Sequence, residues 1–192
     1  MKQVISRMAP SNTGSPTLGN ARTLLLAHMT ALQNNGETIL RIESTDTKRS
    51  TEESTNEILD VLKYLNITYS PTIVDQKTQQ DLGVYTDIAN KLLTSGFAYY
   101  CKCTEEELKR IKLRQISQKS TRQGYEGDCR HCCHSDGVLR FNSAFAAKTF
   151  GLKKVTFEDK TYGYRSIDHR DIQDAVLLRK DSSATYMLAN VS

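Results

Sequence analysis

The sequence lacks tryptophan, has only three prolines, and contains no apolar run near the roughly 20 residues that a membrane-spanning helix needs. Its first residues, Met1 to Ser11, form a short mixed stretch without the long apolar segment that marks a secretory signal. Helical membrane proteins are excluded on this ground, and export is not expected. Internal repeats and low-complexity tracts are also missing, which excludes solenoids and fibres. Charge of one sign is barely in excess: 26 Lys and Arg against 22 Asp and Glu leave +4. Such a balance permits a nucleic-acid partner without arguing for one. Cysteine is absent from most of the chain, because all five (Cys101, Cys103, Cys129, Cys132 and Cys133) fall in one segment. An odd, clustered set in a chain without an export signal points to a metal knuckle in a cytoplasmic protein, not to a disulfide framework.

What is present is 192 residues, enough for one domain or one and a half. The chain opens as strand, loop, helix, strand. Residues 3–8 are β-prone, and residues 9–18 form a turn-rich loop. Residues 19–34 carry a helical apolar face of Leu24, Leu25, Leu26, Met29 and Leu32, stopped by Asn35-Gly36. Residues 38–42 return to strand, giving a βαβ unit and hence a parallel pair. A second helix is expected over 51–65, with Ser50 or Thr51 as its cap and Glu52 and Glu53 in its first turn. A third is expected over 79–94, then a strand over 97–101 and a helix capped by Thr104. From Gly137 onward the pattern reads mostly as strands, at 138–141, 154–158, 164–167 and 175–178.

Two stretches carry chemistry. In the first, Arg7 and the loop from Ala9 to Gly14 lead to a helix start at Gly19-Asn20-Ala21-Arg22. A loop entering a helix N-terminus collects free N–H groups and the positive helix end, which suits a phosphate or carboxylate. It is neither a GxxxxGK[ST] nor a GxGxxG loop, and a polar loop without any ligand has the same pattern. The second stretch, Leu40 to Ser50, follows the next strand. Ligands of parallel α/β sheets sit beyond the strand C-termini, so Arg7, Ser11 and Glu43 are expected to face one crevice. There Glu43 could hold an ammonium group and Arg7 a carboxylate. A salt-bridged surface turn is the alternative.

Residues 9–22 read APSNTGSPTLGNAR, residues 39–50 ILRIESTDTKRS, residues 98–108 AYYCKCTEEEL and residues 176–190 VLLRKDSSATYMLAN. In this order the four blocks resemble the class I aminoacyl-tRNA synthetases, specifically the glutamyl-tRNA synthetase family, whose blocks run APSPTGxLHxGNAR, ILRIEDTDxxRS, YxCxCTxEEL and VLLRSDGxPTYxLA. The resemblance implies ATP-dependent activation of L-glutamate to an adenylate, with Mg2+ accompanying ATP, and transfer to the 3′ end of tRNA. No covalent enzyme nucleophile is implied, so catalysis is positioning plus electrostatics. By motif, Arg7, Ala9, Ser11 and Glu43 would bind glutamate, with Tyr186 and Asn190 completing that pocket. Thr17, Gly19 and Asn20 would line the ATP site.

The chain departs from the family at several positions. Thr17 stands where the family has a histidine, Pro16 where it has an apolar residue, Asn12 where it has a proline and Ser44 where it has an aspartate. A threonine hydroxyl can donate a hydrogen bond but cannot carry positive charge, so weaker ATP activation is expected. The family also continues past the position of Ser192 with a KMSKS-type loop and an anticodon-binding region. The 192 residues are therefore expected to be part of a catalytic domain, inactive in charging by themselves.

Cys101-Lys102-Cys103 and the later Tyr125-to-His134 run suit tetrahedral zinc, which takes sulfur and nitrogen ligands at four positions. The resemblance offers two ligand sets. Some glutamyl-tRNA synthetases pair CxC with a later CxH, which selects Cys101, Cys103, Cys129 and His131. The glutamyl-queuosine tRNA(Asp) synthetases pair CxC with YxxxC, which puts Tyr125 in place of His131. Imidazole is the better ligand at neutral pH than a phenol of pKa about 10, so His131 is expected, with Cys132, Cys133 and His134 as possible substitutes. Lys109, Arg110, Lys112, Arg114, Lys119, Arg122 and Arg130 surround this segment and could face tRNA phosphates or simply water. His28 is expected to pack in its helix, Tyr99 and Tyr100 in their strand, and His169 is given no role.

The expected fold is α/β: an incomplete Rossmann-like class I catalytic domain, residues 1–94, interrupted by a zinc-binding α+β subdomain, residues 95–164, and resumed over 165–192. The expected function is glutamate–tRNA ligation. The queuosine-type enzyme and a non-catalytic tRNA- or partner-binding module are the alternatives.

Overall fold

β1, Ile5–Met8, turns Met8 inward and leaves Ile5 and Arg7 at the surface. It pairs in parallel with β2, Glu37–Ile42, from Ile5 opposite Glu37 to Met8 opposite Leu40. A parallel pair needs a crossover, and α1, Leu18–Gln33, supplies it. The return into β2 is tight. The Glu37 N–H donates to the Val4 carbonyl at 2.9 Å, and a Cβ on Gly36 would lie 2.0 Å from that same oxygen. The Asn35-Gly36 stop therefore reflects close backbone approach as well as helix termination. The computed structural model describes residues 3–46, 48–120 and 124–192.

α2, Glu52–Tyr64, starts at Thr51, whose hydroxyl accepts the Ser54 N–H, and keeps Glu52 and Glu53 in its first turn and Lys63 in its last. Its Ile58 and Leu62 pack with Met8, Leu24, Leu40, Ile42 and Ile67. Next, β3, Val74–Asp75, joins β2 in parallel to complete a three-stranded sheet in the order β1-β2-β3. The single helix expected over 79–94 is two. Asp75 accepts the Thr78 N–H at 2.8 Å and starts α3, Gln76–Asp81, early. Gly83, at φ +75, breaks the chain before α4, Val84–Thr94.

Between Val84 and Tyr85 the chain divides into two compact units. The second is built on an antiparallel sheet of β4 (Ala98–Cys101), β5 (Val138–Phe141) and β8 (Val176–Leu178), with β5 in the middle. Its core joins Tyr85 and Ala89 of α4 to Ala98, Leu139, Leu177, Leu178 and to Leu188 and Ala189 of α7, Tyr186–Val191. α5, Glu105–Ser117, follows β4 behind a Thr104–Glu107 capping box. α6, Ser143–Thr149, follows β5, and β6 (Lys154–Asp159) and β7 (Gly163–Asp168) form a separate hairpin. α6 and α7 fall where mostly strands were expected. Each is at most seven residues long, too short for helical periodicity to show. Among the described residues no helix is long and apolar enough to cross a membrane.

Candidate functional site

In the first unit the chain runs straight on from β1 and β2. Ser11 and Glu43 form an isolated parallel bridge, and the Glu43 N–H donates to the Pro10 carbonyl at 2.9 Å. Parallel pairing thus sets Ser11 and Glu43 side by side beyond the strand C-termini. Arg7, Ala9 and Asn20 line a cavity of about 110 Å3, together with Pro10, Thr23 and Ala27. The sequence alone does not foretell the partner of Glu43. Its carboxylate accepts from Arg41 at 3.3 Å, and Arg41 is buried at 5% exposure. Nor did it give weight to Ser44, which is 2% exposed, donates to Asp75 at 2.8 Å and accepts the Lys77 N–H at 2.9 Å. That serine ties the loop after β2 to the start of α3.

Thr17 and Asn20 close on each other at the start of α1. The Thr17 hydroxyl donates to Asn20 Oδ1 at 2.7 Å and accepts the Asn20 N–H at 3.3 Å, while the Thr17 N–H donates to Asn20 Oδ1 at 2.9 Å. Their side chains serve the capping box, so first-turn backbone N–H groups are the donors this helix end offers to an anion. A Cβ at Gly19 would meet only Thr17 Oγ1, at 3.5 Å, so packing alone does not require glycine there. Tyr186 and Asn190 belong to the second unit, one turn apart on α7, with Asn190 Nδ2 donating to the Tyr186 hydroxyl at 3.2 Å.

The knuckle lies wholly in the second unit. Cys101 ends β4, and Cys103 and Cys129 close on it, the three sulfurs lying within 4.8 Å of one another and the last two 3.5 Å apart. Two sulfurs on tetrahedral vectors of about 2.3 Å from one ion lie roughly 3.8 Å apart, so this spacing fits a shared ion. Gly137 permits the approach of β5: at φ +125, its Cβ would sit 2.5 Å from the Cys101 carbonyl oxygen. His131, the expected fourth ligand, does not join them. It is exposed in the turn, while Arg130 beside it bonds Asp174 and the Cys129 N–H is held by the Tyr125 hydroxyl at 2.9 Å. Tyr125 is the side chain that meets the thiols, packing on them and bonding Cys101 through its hydroxyl.

Electrostatics divide the thiols. Burial pushes the Cys103 thiol up to about 12, with hydrogen bonds to Cys129 and Cys101 adding to it. Burial also opposes ionisation of Cys101. Hydrogen bonds from the Tyr125 hydroxyl, the Cys103 N–H and Arg140 outweigh it and hold Cys101 below the usual thiol range. Burial and the bond to Cys101 push the Tyr125 phenol well above its ordinary value. Arg140 also stacks over the Tyr125 ring, 4.0 Å from its centroid.

Asp174 anchors this region, and nothing in the sequence singled it out. It is 1% exposed and accepts from Tyr99 Oη at 2.5 Å, Arg130 Nε at 2.6 Å, Arg130 Nη2 at 2.9 Å, Ser143 Oγ at 2.6 Å and the Ser143 N–H at 3.0 Å. A cavity of about 600 Å3 opens above Arg130, Tyr125, Ser143 and Gln173. The basic set divides. Arg130 is committed to Asp174 and Arg114 bonds Glu126 at 2.5 Å, while Lys109, Arg110, Lys112 and Lys119 are exposed. Arg122 lies outside the described residues. His28 packs as expected, 7% exposed, with Nδ1 3.3 Å from Thr38 Oγ1. Tyr99 is buried in its strand. His169 sits in a short 3-10 turn, Nδ1 3.1 Å from the Lys153 carbonyl.

The chain is similar to known proteins in sequence and in fold. Glutamate–tRNA ligase 1 of Erythrobacter litoralis is 38% identical over 188 residues, covering 98% of this chain and 38% of the relative. Glutamate–tRNA ligase 2 of Wolbachia pipientis is 36% identical over 192 residues, 100% of this chain and 40% of the relative. The chain thus spans about two fifths of the length of the curated relatives it matches. The crystal structure of a glutamate-tRNA synthetase from Elizabethkingia anophelis superposes with a TM-score of 0.78 at 26% identity, covering 99% of this chain and 42% of the other. The family model for the catalytic domain of class I tRNA synthetases (E and Q) matches residues 3–192, and the chain belongs to that family.

Proposed function

We propose that this chain forms the N-terminal part of the catalytic domain of a glutamate–tRNA ligase acting in cytoplasmic protein synthesis. The observation that carries the proposal is the juxtaposition of Ser11 and Glu43 beyond the C-termini of β1 and β2, next to a cavity lined by Arg7 and Ala9. It occurs in a chain whose relatives are named glutamate–tRNA ligases. In this reading the glutamate α-carboxylate attacks the α-phosphorus of ATP, and the bond to the β-phosphate breaks. Pyrophosphate then leaves with Mg2+. A ribose hydroxyl at the tRNA 3′ end attacks the resulting acyl-adenylate, and AMP departs. Arg7, Ala9, Ser11 and Glu43 position glutamate. The α1 N-terminus at Thr17, Gly19 and Asn20 receives ATP phosphate through its backbone donors. The partition at residues 95 and 164 belongs to the same proposal.

The soft donor set of Cys101, Cys103 and Cys129 fits zinc, with Tyr125 as the fourth group. Bound there, zinc supplies a structural cross-link that fixes the end of β4 to the turn at Cys129. Lys109, Arg110, Lys112 and Lys119 then offer positive charge to the tRNA acceptor end.

ATP–pyrophosphate exchange, measured on the gene product that carries this chain with tRNA present, tests the proposal. Exchange should require glutamate and fall about 10–100-fold in Glu43→Gln or Arg7→Ala, the 1.5–3 kcal/mol of a charged hydrogen bond. Exchange indifferent to the amino acid, or none from a folded protein, would overturn it. The contact of Tyr125 with the thiols is the one observation that favours the queuosine-type relative. Glutamate-dependent exchange without tRNA would point to that enzyme instead.

A further inference from the structure

The knuckle carries more ligands than one tetrahedral ion uses. Cys129 Sγ belongs to a second triad with Cys132 Sγ and a ring nitrogen of His134, again within 4.8 Å of one another. Cys129 alone is common to both triads. The local backbone explains the placement. The Cys132 N–H donates to the Cys129 carbonyl at 3.2 Å, so the chain makes a tight turn that brings two cysteines three positions apart to one side. Cys133, at φ +50, then reverses the chain and returns His134 toward them. Cys129 is buried, His134 half-buried and Cys132 exposed, so this second triad opens to water where the first is closed over by Tyr125 and Tyr99.

We propose that the knuckle holds a second transition-metal ion of the Zn2+ class at Cys129, Cys132 and His134, with the Cys129 thiolate bridging the two ions. Two sulfurs and an imidazole select zinc or Cu+ over magnesium or calcium. A thiolate retains lone pairs for a second ion after binding a first, and each thiol that coordinates releases its proton to solvent. Three protein ligands leave a fourth position open, the arrangement of zinc sites that exchange a water or a substrate group. The exposed site is therefore the weaker and the faster to exchange. The proposal rests on the reading of Cys101, Cys103 and Cys129 as the first, structural site.

The test is a titration of the metal-stripped, reduced chain with Co2+ against a weak chelator. Thiolate-to-cobalt charge-transfer absorption is followed, and Zn2+ stoichiometry is counted by native mass spectrometry. Two equivalents are expected, the second binding more weakly. Cys132→Ser combined with His134→Ala should bind one equivalent and keep the tighter step. Cys101→Ser combined with Cys103→Ser should bind one and lose that step. Saturation of the unaltered chain at one equivalent, abolished by the Cys101/Cys103 pair and indifferent to the Cys132/His134 pair, overturns the second site and leaves the first standing. Two equivalents persisting in the Cys132/His134 pair also overturn it. No binding at all refutes both sites.

Discussion

Replacing Asp174 with asparagine keeps the shape of the side chain and removes its charge. In the folded protein that carboxylate has a side-chain exposure of 0% and is bonded by Tyr99, Ser143 and both donors of Arg130. An asparagine preserves one acceptor and turns the other position into a donor, which then faces a guanidinium or a phenolic hydroxyl. Breaking a buried ion pair by removing one partner costs about 3–5 kcal/mol, because the other charge is left uncompensated. Arg130 retains 24% side-chain exposure, so water restores part of its solvation. The expected cost is therefore about 2–4 kcal/mol, a large part of the roughly 5–15 kcal/mol available to a domain. Urea unfolding followed by tyrosine fluorescence suits a chain without tryptophan. Arg130→Met, which leaves the carboxylate buried with fewer donors, should cost at least as much. The double variant should cost less than the sum of the two. A loss below about 1 kcal/mol for Asp174→Asn, or strict additivity with Arg130→Met, would refute the claim that this pair anchors the knuckle turn.

Acid should act through the same residue. Burial opposes ionisation of Asp174, yet hydrogen bonds from Arg130, Ser143 and Tyr99 hold its carboxyl below the usual range. Its stabilising contribution is thus present above the unfolded value of about 3.9 and lost as pH falls through the folded one. Acid unfolding of the unaltered chain should steepen below about pH 4, and the same slope in Asp174→Asn would contradict this. Gly36→Ala should cost about 1–3 kcal/mol in thermal unfolding, since its Cβ would meet the Val4 carbonyl at 2.0 Å; an unchanged melting temperature would mean the β1–β2 register gives way easily. Thr17→His removes the hydroxyl that bonds Asn20 and puts the family's imidazole at the start of α1. Glutamate-dependent exchange by the gene product should rise, and no change would count against Thr17 as an ATP-site position.

The parts of the fold legible in the sequence were those whose signal is local. Asn35-Gly36 marked the end of α1, Thr104 with Glu107 marked α5, and β5 was found over its whole length at Val138–Phe141. β3 could not be seen, because two residues have no periodicity. α6 has a cap in Asn142, whose side chain accepts the Phe145 N–H, and that signal was there to be read. At the candidate site, Ser11 and Glu43 were expected together because parallel strands must deliver their C-termini to one edge. The Arg41–Glu43 pair was not expected, since alternation does not say which charged neighbour turns in. Spacing alone could not choose between His131 and Tyr125. Nor could it show that Arg130, next to His131, bonds Asp174, 44 residues away.

The β6–β7 hairpin has no buried residue on either strand. Two strands alone are marginally stable in water, and opening this pair uncovers no core. Its amides should therefore exchange with solvent through local fraying at a small fraction of the free energy that protects β4, β5 and β8. In a hydrogen-exchange record the second unit would show two populations, an arm that breathes on its own and a sheet that exchanges only when the whole unit comes apart. A macromolecule seated along residues 154–168 would merge them, so the protection of those amides reports occupancy of the arm without any label placed on it.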